Sequence, residues 1–332
     1  MTQNIRPATP DDIPHLVELL MLDAKERQAK DMILWKMADD APAQIENALT
    51  FAITADQQPF RQFWHVAHDA GRITGVVHSM MLPVPPIYSG KYGGEPGLIL
   101  PDSFVSPEAA VGTVNSLLSA AERTLHEAGA RIILASFVTG EDWRREFEAT
   151  GYEAITLYLS RSDLSDQGMP SDVSYATEDD VPGIVARSAE NRQVLFDIDP
   201  FWEPHPEADP RFSAWMMRSL TLRDRDMMVL GPKGDVDGYV IAQPASRLHF
   251  PPAHDITGTG VIDDYYHPDL ANSAALDQSG EGAMTLLRGG EAAFTNRGIG
   301  TAFVVCPAGW RSKIEVLESA GYETAMTWSI KR

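Results

Sequence analysis

The spacing of apolar and polar positions along the chain predicts alternating helices and strands. Ile13, Leu16, Leu19 and Leu20 recur at helical intervals, which predicts a helix with one buried face. Further one-faced helices are predicted around 114–125 and 284–292. Apolar runs bounded by turn residues predict strands at 4–6, 64–67, 73–79, 132–138, 173–175, 227–230, 238–243 and 301–306. This mixture of strands and helices predicts a mixed α/β fold, also described as α+β.

The first half of this pattern recurs in the second half. Residues 8–17 (ATPDDIPHLV) match residues 176–185 (ATEDDVPGIV) at an offset of 168 (176 − 8), and six of the ten positions are identical. Residues 151–153 and 321–323 both read Gly-Tyr-Glu, at an offset of 170 (321 − 151). Each copy of this second anchor precedes a short strand-like run, so the two halves end alike as well as begin alike.

A third anchor lies between the other two. Residues 98–107 parallel residues 260–268, and their final prolines, Pro107 and Pro268, are 161 positions apart (268 − 107). Three anchors in the same order indicate duplication of one domain. The polar, Gly- and Pro-containing stretch between the copies is typical of a linker. We predict an N-terminal domain at 1–161, a linker at 162–172 and a C-terminal domain at 173–332.

Composition narrows the class of function. The 332 residues are 44% hydrophobic, which suffices for a packed core, and include 47 acidic against 27 basic residues, a net charge of −20. That balance argues against nucleic-acid binding. The apolar runs are too short to span a bilayer, and the N-terminus lacks the apolar core of a signal peptide. With Cys306 as its single cysteine, the chain forms no internal disulfide, and we expect a cytoplasmic protein.

The residues at the start and end of each half resemble a known family. The opening segment 5–13 (IRPATPDDI) and the recurring order of helix, Gly-Tyr turn and closing strand resemble the GNAT superfamily of acyl-CoA-dependent N-acyltransferases. The resemblance covers both halves, so the chain looks like a tandem GNAT protein. It implies two GNAT-like domains, each a splayed mixed sheet flanked by helices. It also implies acetyl-CoA bound in the splay and an amine that approaches from the other side.

The cofactor signature of this family is Gln/Arg-x-x-Gly-x-Gly/Ala at the start of the central helix. Backbone N–H groups and the helix dipole there bind a diphosphate, and glycine allows its close approach. In the first half the matching positions are Ala109, Gly112 and Val114, so only the central glycine is present. In the second half residues 278–283 (QSGEGA) are glycine-rich, but Gly280 lies twelve positions after Pro268 (280 − 268), which predicts an insertion.

Each of these segments is explained equally well as the start of a helix, where glycines allow the backbone to turn and no cofactor binds. The resemblance nevertheless implies a set of cofactor-binding candidates in each half. They lie around the middle strand, which ends at Pro107 or Pro268, and around the central helix predicted at 114–125 or 284–292. These candidates are Phe104, Val105, Gly112, Thr113, Val114, Tyr266, Gly280, Gly282 and Ala283.

Acyl transfer requires a base for the amine and a donor for the leaving thiolate. The resemblance implies a carboxylate on or beside the middle strand, where Asp102 lies in the first half and Asp263 or Asp264 in the second. A solvated or helix-capping role is the alternative for both. The positions where relatives use a tyrosine donor hold Phe147 and Leu317, so Tyr265 is the candidate hydroxyl. The catalytic candidates are Asp102, Asp264 and Tyr265.

Two other patterns bear on function. His65 and His68 point to opposite faces of a strand, so no metal site is predicted. Residues 196–215 mix aromatic side chains with carboxylates. This segment either forms the wall that receives a cationic amine or packs against the other half.

The sequence therefore predicts an N-acetyltransferase that transfers acetyl from acetyl-CoA to a small amine by direct attack. The first half is favoured for cofactor binding because its loop spacing is unbroken. The alternative is a catalytically degenerate GNAT-like protein that binds acyl-CoA as a sensor or assembly module. The edge strands of this fold are compatible with a homodimer, and neither nucleic acid nor membrane is an expected partner.

Overall fold

The computed structural model describes residues 4–69, 71–85, 87–88, 94–138, 142–248, 250–276 and 279–332. The strands of the first half are β1 Asn4–Pro7, β2 Gln62–Asp69, β3 Arg72–Met81, β4 Gly97–Ile99, β5 Phe104–Val105, β6 Ile133–Val138 and β7 Glu153–Arg161. Its helices are α1 Ile13–Lys30, α2 Ala41–Thr54, α3 Thr113–Glu127 and α4 Asp142–Ala149.

The second half repeats this order. Its strands are β8 Val173–Tyr175, β9 Asp226–Leu230, β10 Gly238–Pro244, β11 Thr259–Tyr266, β12 Thr301–Pro307 and β13 Glu323–Lys331. Its helices are α5 Val181–Ile198, α6 Ala208–Ser219, α7 Glu281–Asn296 and α8 Arg311–Ser319. The predicted mixed α/β fold with duplicated halves is confirmed. None of the described helices is long and apolar enough to cross a membrane.

The repeated N-terminal motif forms the same capping box in both halves. The Thr9 backbone N–H and hydroxyl donate to Asp12, and those of Thr177 donate to Asp180, each within 2.9 Å. Each box satisfies N–H groups that the start of a helix would leave without partners. The identical residues found in the sequence therefore fix the starts of α1 and α5.

The strands form one continuous sheet. Its order is β1-β2-β3-β4-β6-β13-β7-β12-β11-β10-β9-β8, with β5 paired to β3. The closing strands of the halves are exchanged, because β13 lies between β6 and β7 and β7 lies between β13 and β12. The sheet of each half is thus completed by a strand of the other half. The boundaries at 161 and 173 stay a prediction about the chain's repeat, and the expected dimer stays a prediction too.

The exchanged strands carry matching ionic anchors. Tyr152 and Lys331 both donate to Oε1 of Glu122 on α3, at 2.9 and 2.8 Å. In the second half Tyr322 donates to Oε1 of Glu291 on α7 at 2.9 Å, and Arg161 lies 3.5 Å from the same oxygen. Each closing strand therefore supplies a cation to the central helix of the other half.

The sheet splays open once in each half, as expected. β4 pairs in parallel with β6 over Gly97–Ile99, after which the chain turns away and β5 pairs with β3. β11 pairs in parallel with β12 over Thr259–Ile262, and its last residues then pair with β10 alone. The start of α7 lies at the end of β11, where the Tyr265 hydroxyl donates to the Ala283 carbonyl, and Val114 at the start of α3 lines one cleft with Phe104 and Val105 of β5. These two helix ends are therefore the places to expect a cofactor site of the predicted kind.

Candidate functional site

The N-terminus of α3 is open. Gly112 precedes it with φ +87°, a left-handed conformation that favours glycine, and a Cβ built on Gly112 would meet no atom within 4 Å. Thr113 donates its hydroxyl to the Ala110 carbonyl. Within the described ranges, no side chain caps the backbone N–H groups of Val114 and Asn115. These groups and the helix dipole are suited to an anion.

A cleft lies beside this helix end, and we call it the α3 cleft. It has a volume of about 380 Å³ and is formed by α1, β5, the start of α3 and α4. The predicted cofactor residues Phe104, Val105 and Val114 line it. Its charged residues are three acids and one base: Asp23, Glu26, Asp142 and Lys30.

Asp102 is buried in the segment between β4 and β5, where it binds a histidine that the sequence did not single out. Nδ1 of His78 on β3 lies 2.8 Å from Oδ1 of Asp102, and its Nε2 lies 3.0 Å from Oε1 of Gln62. The Trp64 indole stacks on the imidazole with ring centroids 3.9 Å apart. Asp102 therefore fixes the orientation of the ring, and Nε2 donates to the Gln62 amide oxygen at the other end of it.

This pair lines a second space, which we call the His78 pocket. It has a volume of about 410 Å³, and its walls include residues of the second half such as Arg247 and Phe250. The Arg247 guanidinium donates to the His254 carbonyl at 2.8 Å and to Gln44 at 2.9 Å. Nε1 of Trp64 is buried and has no hydrogen-bond partner in the described part of the chain. The pocket thus offers a carboxylate and an imidazole to a small polar molecule.

A small void of about 10 Å³ adjoins both spaces. Asp23 lines this void and the α3 cleft, and Asp102 lines the void and the His78 pocket. Arg27 also lines the void with its side chain fully buried, and it donates to Asp23 at 2.5 Å and to the Pro101 carbonyl at 2.6 Å. The void is about the size of one water molecule, so the Arg27 guanidinium separates the two spaces.

His254 packs against this guanidinium. Its Nδ1 donates to the Trp35 carbonyl at 2.8 Å, and its Nε2 lies 3.3 Å from Arg27. Burial, together with the charge of Arg27, lowers the pKa of His254 to about 3. The imidazole is therefore neutral at pH 7, and Nε2 accepts a hydrogen bond from Arg27.

The N-terminus of α7 is closed. Oδ2 of Asp269 accepts hydrogen bonds from the backbone N–H groups of Gly282 and Ala283, at 2.9 and 3.2 Å. Gly280 stands before the helix with φ +67°. A Cβ at Gly282 would come within 2.2 Å of the His267 ring. The chain's own carboxylate and imidazole thus occupy the place that a cofactor diphosphate would need. Of the predicted segment 278–283, Gln278 lies outside the described residues.

The second splay is filled by side chains. The Tyr265 hydroxyl donates to the Ala283 carbonyl, and burial raises the pKa of Tyr265 well above its ordinary value. Lys313 is buried, and its Nζ donates to the Tyr265 carbonyl at 2.9 Å. Nε1 of Trp310 donates to the Leu270 carbonyl at 2.9 Å, and Tyr266 packs near Trp310 with ring centroids 6.4 Å apart. The Tyr265 hydroxyl is therefore used inside the protein.

Asp264 also has internal partners. It accepts hydrogen bonds from the Tyr239 hydroxyl and, at 3.0 Å, from Nδ2 of Asn191. Loss of hydration raises the pKa of Asp264 to about 6. Like Asp102 it lies at the irregular part of the middle strand, but its neighbours are a tyrosine and an amide instead of a histidine.

Sequence reasoning missed His78, Arg27 and Asp269. His78 interrupts the apolar strand 73–81, and Arg27 continues the buried face of α1, so both positions carried a signal. Asp269 corresponds to Glu108 at the offset of 161, but the sequence did not show that its carboxylate reaches α7.

The aromatic and acidic segment 196–215 contacts the first half. Trp202 packs on Tyr88 with ring centroids 5.5 Å apart. This contact agrees with the interpretation that the segment packs against the other half.

Solved structures resemble the whole chain. A GCN5-related N-acetyltransferase from Sphaerobacter thermophilus is 14% identical, with a TM-score of 0.56 over 99% of this chain and 95% of that one. A tandem GNAT protein from the clavulanic acid biosynthesis pathway is 14% identical, with a TM-score of 0.50 over 99% and 97%. A GNAT-family acetyltransferase from Colwellia psychrerythraea is 11% identical, with a TM-score of 0.50 over 98% of both chains.

No protein-family model matches the sequence, and neither does any curated protein. The resemblance is therefore one of three-dimensional arrangement: two halves with the same order of elements, each with a splayed sheet and a central helix that starts at the splay. Matches that extend over nearly the full length of this chain and of the solved structures include the duplication itself. The chain has the fold of a tandem GNAT protein.

Proposed function

We propose that the first half of this protein transfers an acyl group from acyl-CoA, with acetyl-CoA as the expected donor, to a small amine. One observation carries the proposal: the N-terminus of α3 is open beside a cleft, whereas Asp269 occupies the N-terminus of α7. The structural neighbours described as N-acetyltransferases support acyl transfer as the reaction class. We assign the second half to the scaffold and to one wall of the acceptor pocket.

The cofactor's contacts follow from the α3 cleft. The N–H groups at the start of α3 hold the diphosphate, and Gly112 allows its approach. Among the described strands, β5 pairs with β3 alone, so its other edge can bind the amides of the pantetheine arm. Lys30 adds a positive charge, and Arg27 neutralises Asp23. These groups must outweigh Glu26 and Asp142.

We place the reaction at Arg27, between the α3 cleft and the His78 pocket, where the small void must widen to admit the thioester and the amine. The amine nitrogen attacks the thioester carbonyl, and the new C–N bond replaces the C–S bond. His78 Nε2 accepts the proton that the amine loses, once the Gln62 amide oxygen has turned away from it, while Asp102 orients the imidazole. Arg27 stabilises the negative charge that develops on the carbonyl oxygen or the thiolate, once its guanidinium turns from the Pro101 carbonyl. The proton on His78 then passes to the thiolate through the pocket.

Calorimetric titration with acetyl-CoA and a thiol-release assay over a panel of small amines test this proposal. We expect one acetyl-CoA per chain, and we expect His78→Gln and Asp102→Asn to lower kcat by about 100-fold while acetyl-CoA affinity stays the same. Asp264→Asn tests the other half. A loss of turnover in Asp264→Asn but not in Asp102→Asn would place the reaction in the second half and contradict the proposal.

Two further outcomes would also reject it. If the protein did not bind acetyl-CoA, neither half would be a cofactor site. Binding without thiol release across the panel would favour the acyl-CoA sensor over the enzyme.

A further inference from the structure

The His78 pocket contains a cation that the proposed reaction does not use. Arg247 of the second half lines the pocket, and its side chain is exposed. Its Nη1 donates to three carbonyls of the segment 251–254, at 2.8 to 3.4 Å, and its Nη2 donates to Oε1 of Gln44 at 2.9 Å. These neutral acceptors hold the guanidinium at the pocket wall but do not cancel its charge.

Within the described ranges, Arg247 forms no ion pair. Asp255 is paired with Lys36 at 3.1 Å, and Asp40 accepts a hydrogen bond from Nε2 of Gln44 at 2.6 Å. Burial lowers the pKa of Arg247, and the charges of Asp255 and Asp40 oppose that shift. The Nε–H group and one N–H of Nη2 also lack an acceptor among the described residues. The guanidinium can therefore donate to an anionic oxygen in the pocket.

The helix α2 places a second donor on the same wall. Asn47 follows Gln44 by three positions, so the two side chains are neighbours on one face of α2, and both line the pocket. The Asn47 side chain is exposed and makes no hydrogen bond with the described part of the chain. Because Gln44 contacts Arg247, the Asn47 amide lies near the guanidinium and can donate to the same anion.

The charges of the pocket restrict what the acceptor carries. Among the described residues that line it, Asp102 is paired with His78, whereas Arg247 has no opposite charge beside it. A second positive group on the acceptor, as in a diamine, would face Arg247 without an acid. A dianionic phosphate would require a second base. One carboxylate matches the single guanidinium, and the apolar walls at Trp64 and Phe250 suit the carbon skeleton.

We propose that Arg247 and Asn47 bind a carboxylate of the acceptor, so that the acceptor is an amino acid, with one amine and one carboxylate on an apolar skeleton. This inference rests on acyl transfer in the first half, and it gives the second half a part in substrate selection. The amine is directed to His78 and Asp102, and the carboxylate to Arg247.

Binding of the expected products tests this inference without turnover. N-acetylleucine and N-acetylleucinamide differ only in a carboxylate against a carboxamide, and 6-acetamidohexanoate and its amide separate the two groups further. In calorimetric titrations of the full chain, we expect the carboxylate of at least one pair to bind about 10-fold more tightly than its amide, as for a charge-assisted hydrogen bond. Arg247→Gln should abolish this preference and change the amide's affinity less than about twofold.

Two further variants separate local contact from net charge. Arg72→Gln removes the same charge from an exposed position outside the pocket and should keep the preference. Asn47→Asp keeps the side-chain shape but adds a negative charge near Arg247, so it should weaken carboxylate binding about 10-fold and leave the amides within about twofold. Since Asn47 makes no hydrogen bond with the described residues, this variant should fold even if Arg247→Gln disturbs the segment 251–254.

The outcomes distinguish this inference from acyl transfer itself. Equal affinities within both pairs up to the solubility limit, or a preference that survives Arg247→Gln and Asn47→Asp, would overturn the carboxylate site. Thiol release with simple amines would then still support acyl transfer. Conversely, an Arg247-dependent preference without thiol release from any amino acid would support the carboxylate site and reject acyl transfer.

Discussion

The N-termini of α3 and α7 occupy equivalent places in the two halves but have opposite states. Glu108 and Asp269 follow the matching prolines Pro107 and Pro268, yet only Asp269 reaches a helix. Glu108 is exposed and lies 3.6 Å from Arg72. The second half has twelve positions from Pro268 to Gly280, against five from Pro107 to Gly112 (112 − 107). The longer segment lets the chain turn at 268–270 and direct a carboxylate at its own helix.

Features that hold the fold are the same in both halves. Both capping boxes are intact, and both closing strands bring a cation to a glutamate on the opposite central helix. The halves therefore differ where a cofactor would bind and agree where the scaffold is fixed. After duplication, one copy can lose its cofactor site and still be needed for the fold, because its strands complete the shared sheet.

The largest effect should come from placing a carboxylate at the open helix. Val114 lines the α3 cleft at the second position of α3. At an effective dielectric constant of about 20, a negative charge about 5 Å from the diphosphate costs about 3 kcal/mol. Val114→Glu should therefore weaken acetyl-CoA binding about 100-fold in a calorimetric titration. The fold should tolerate the change, since an acidic residue in the first turn complements the helix dipole.

Two controls separate charge from shape. Val114→Gln has nearly the same size as Val114→Glu and should retain most of the affinity. Glu281→Gln removes a carboxylate from the first turn of α7 and should leave acetyl-CoA binding unchanged. If Glu281→Gln raised the affinity while Val114→Glu had no effect, the cofactor would bind in the second half.

A smaller effect should follow from removing the internal cap. Asp269→Ala deletes two charge-assisted hydrogen bonds and leaves the start of α7 without an acceptor. We expect the free energy of unfolding to fall by about 2 kcal/mol. Urea unfolding followed by circular dichroism measures this change.

The matched variant is Glu108→Ala, which should change the free energy of unfolding by less than about 0.5 kcal/mol, as for an ordinary surface position. Asp269→Ala should not create a new acetyl-CoA site, because the His267 ring still covers Gly282. Equal stability losses in the two variants would show that the two helix ends do not differ as described.

The sequence predicted features that depend on local pattern, and missed those that depend on distant contacts. Periodicity located the strands at 132–138 and 301–306, and the repeat located both helix starts. The strand exchange was not predictable, because β7 and β13 have the same pattern whichever sheet they join. His78 and Asp102 meet only after two strands pair, so their spacing of 24 positions carries no signal. Likewise, the contact of Asp269 with α7 depends on how an inserted segment turns.

The smallest expected effects concern the two capping boxes. Their sequences match, but different groups outside each box donate hydrogen bonds to its carboxylate. The hydrogen bond from Arg6 lowers the pKa of Asp12 well below its ordinary range. Burial opposes ionisation of Asp180, but the Gly234 N–H and Thr177 donate to it and lower its pKa overall. Asp12→Ala and Asp180→Ala should each reduce the free energy of unfolding by about 1 kcal/mol at pH 7.

The pH and salt dependence of these losses distinguishes the partners. Both folded-state pKa values lie below the unfolded value, so each carboxylate stabilises the fold above about pH 4 and this contribution disappears as the pH falls further. The gap between wild type and either variant should therefore narrow in acid. High salt should reduce the loss in Asp12→Ala, because Arg6 is one-third exposed, and should leave the loss in Asp180→Ala nearly unchanged, because neutral donors hold Asp180. Urea titrations at low and high salt measure both losses, and an equal salt response would show that Arg6 contributes no more to its box than Gly234 does to the other.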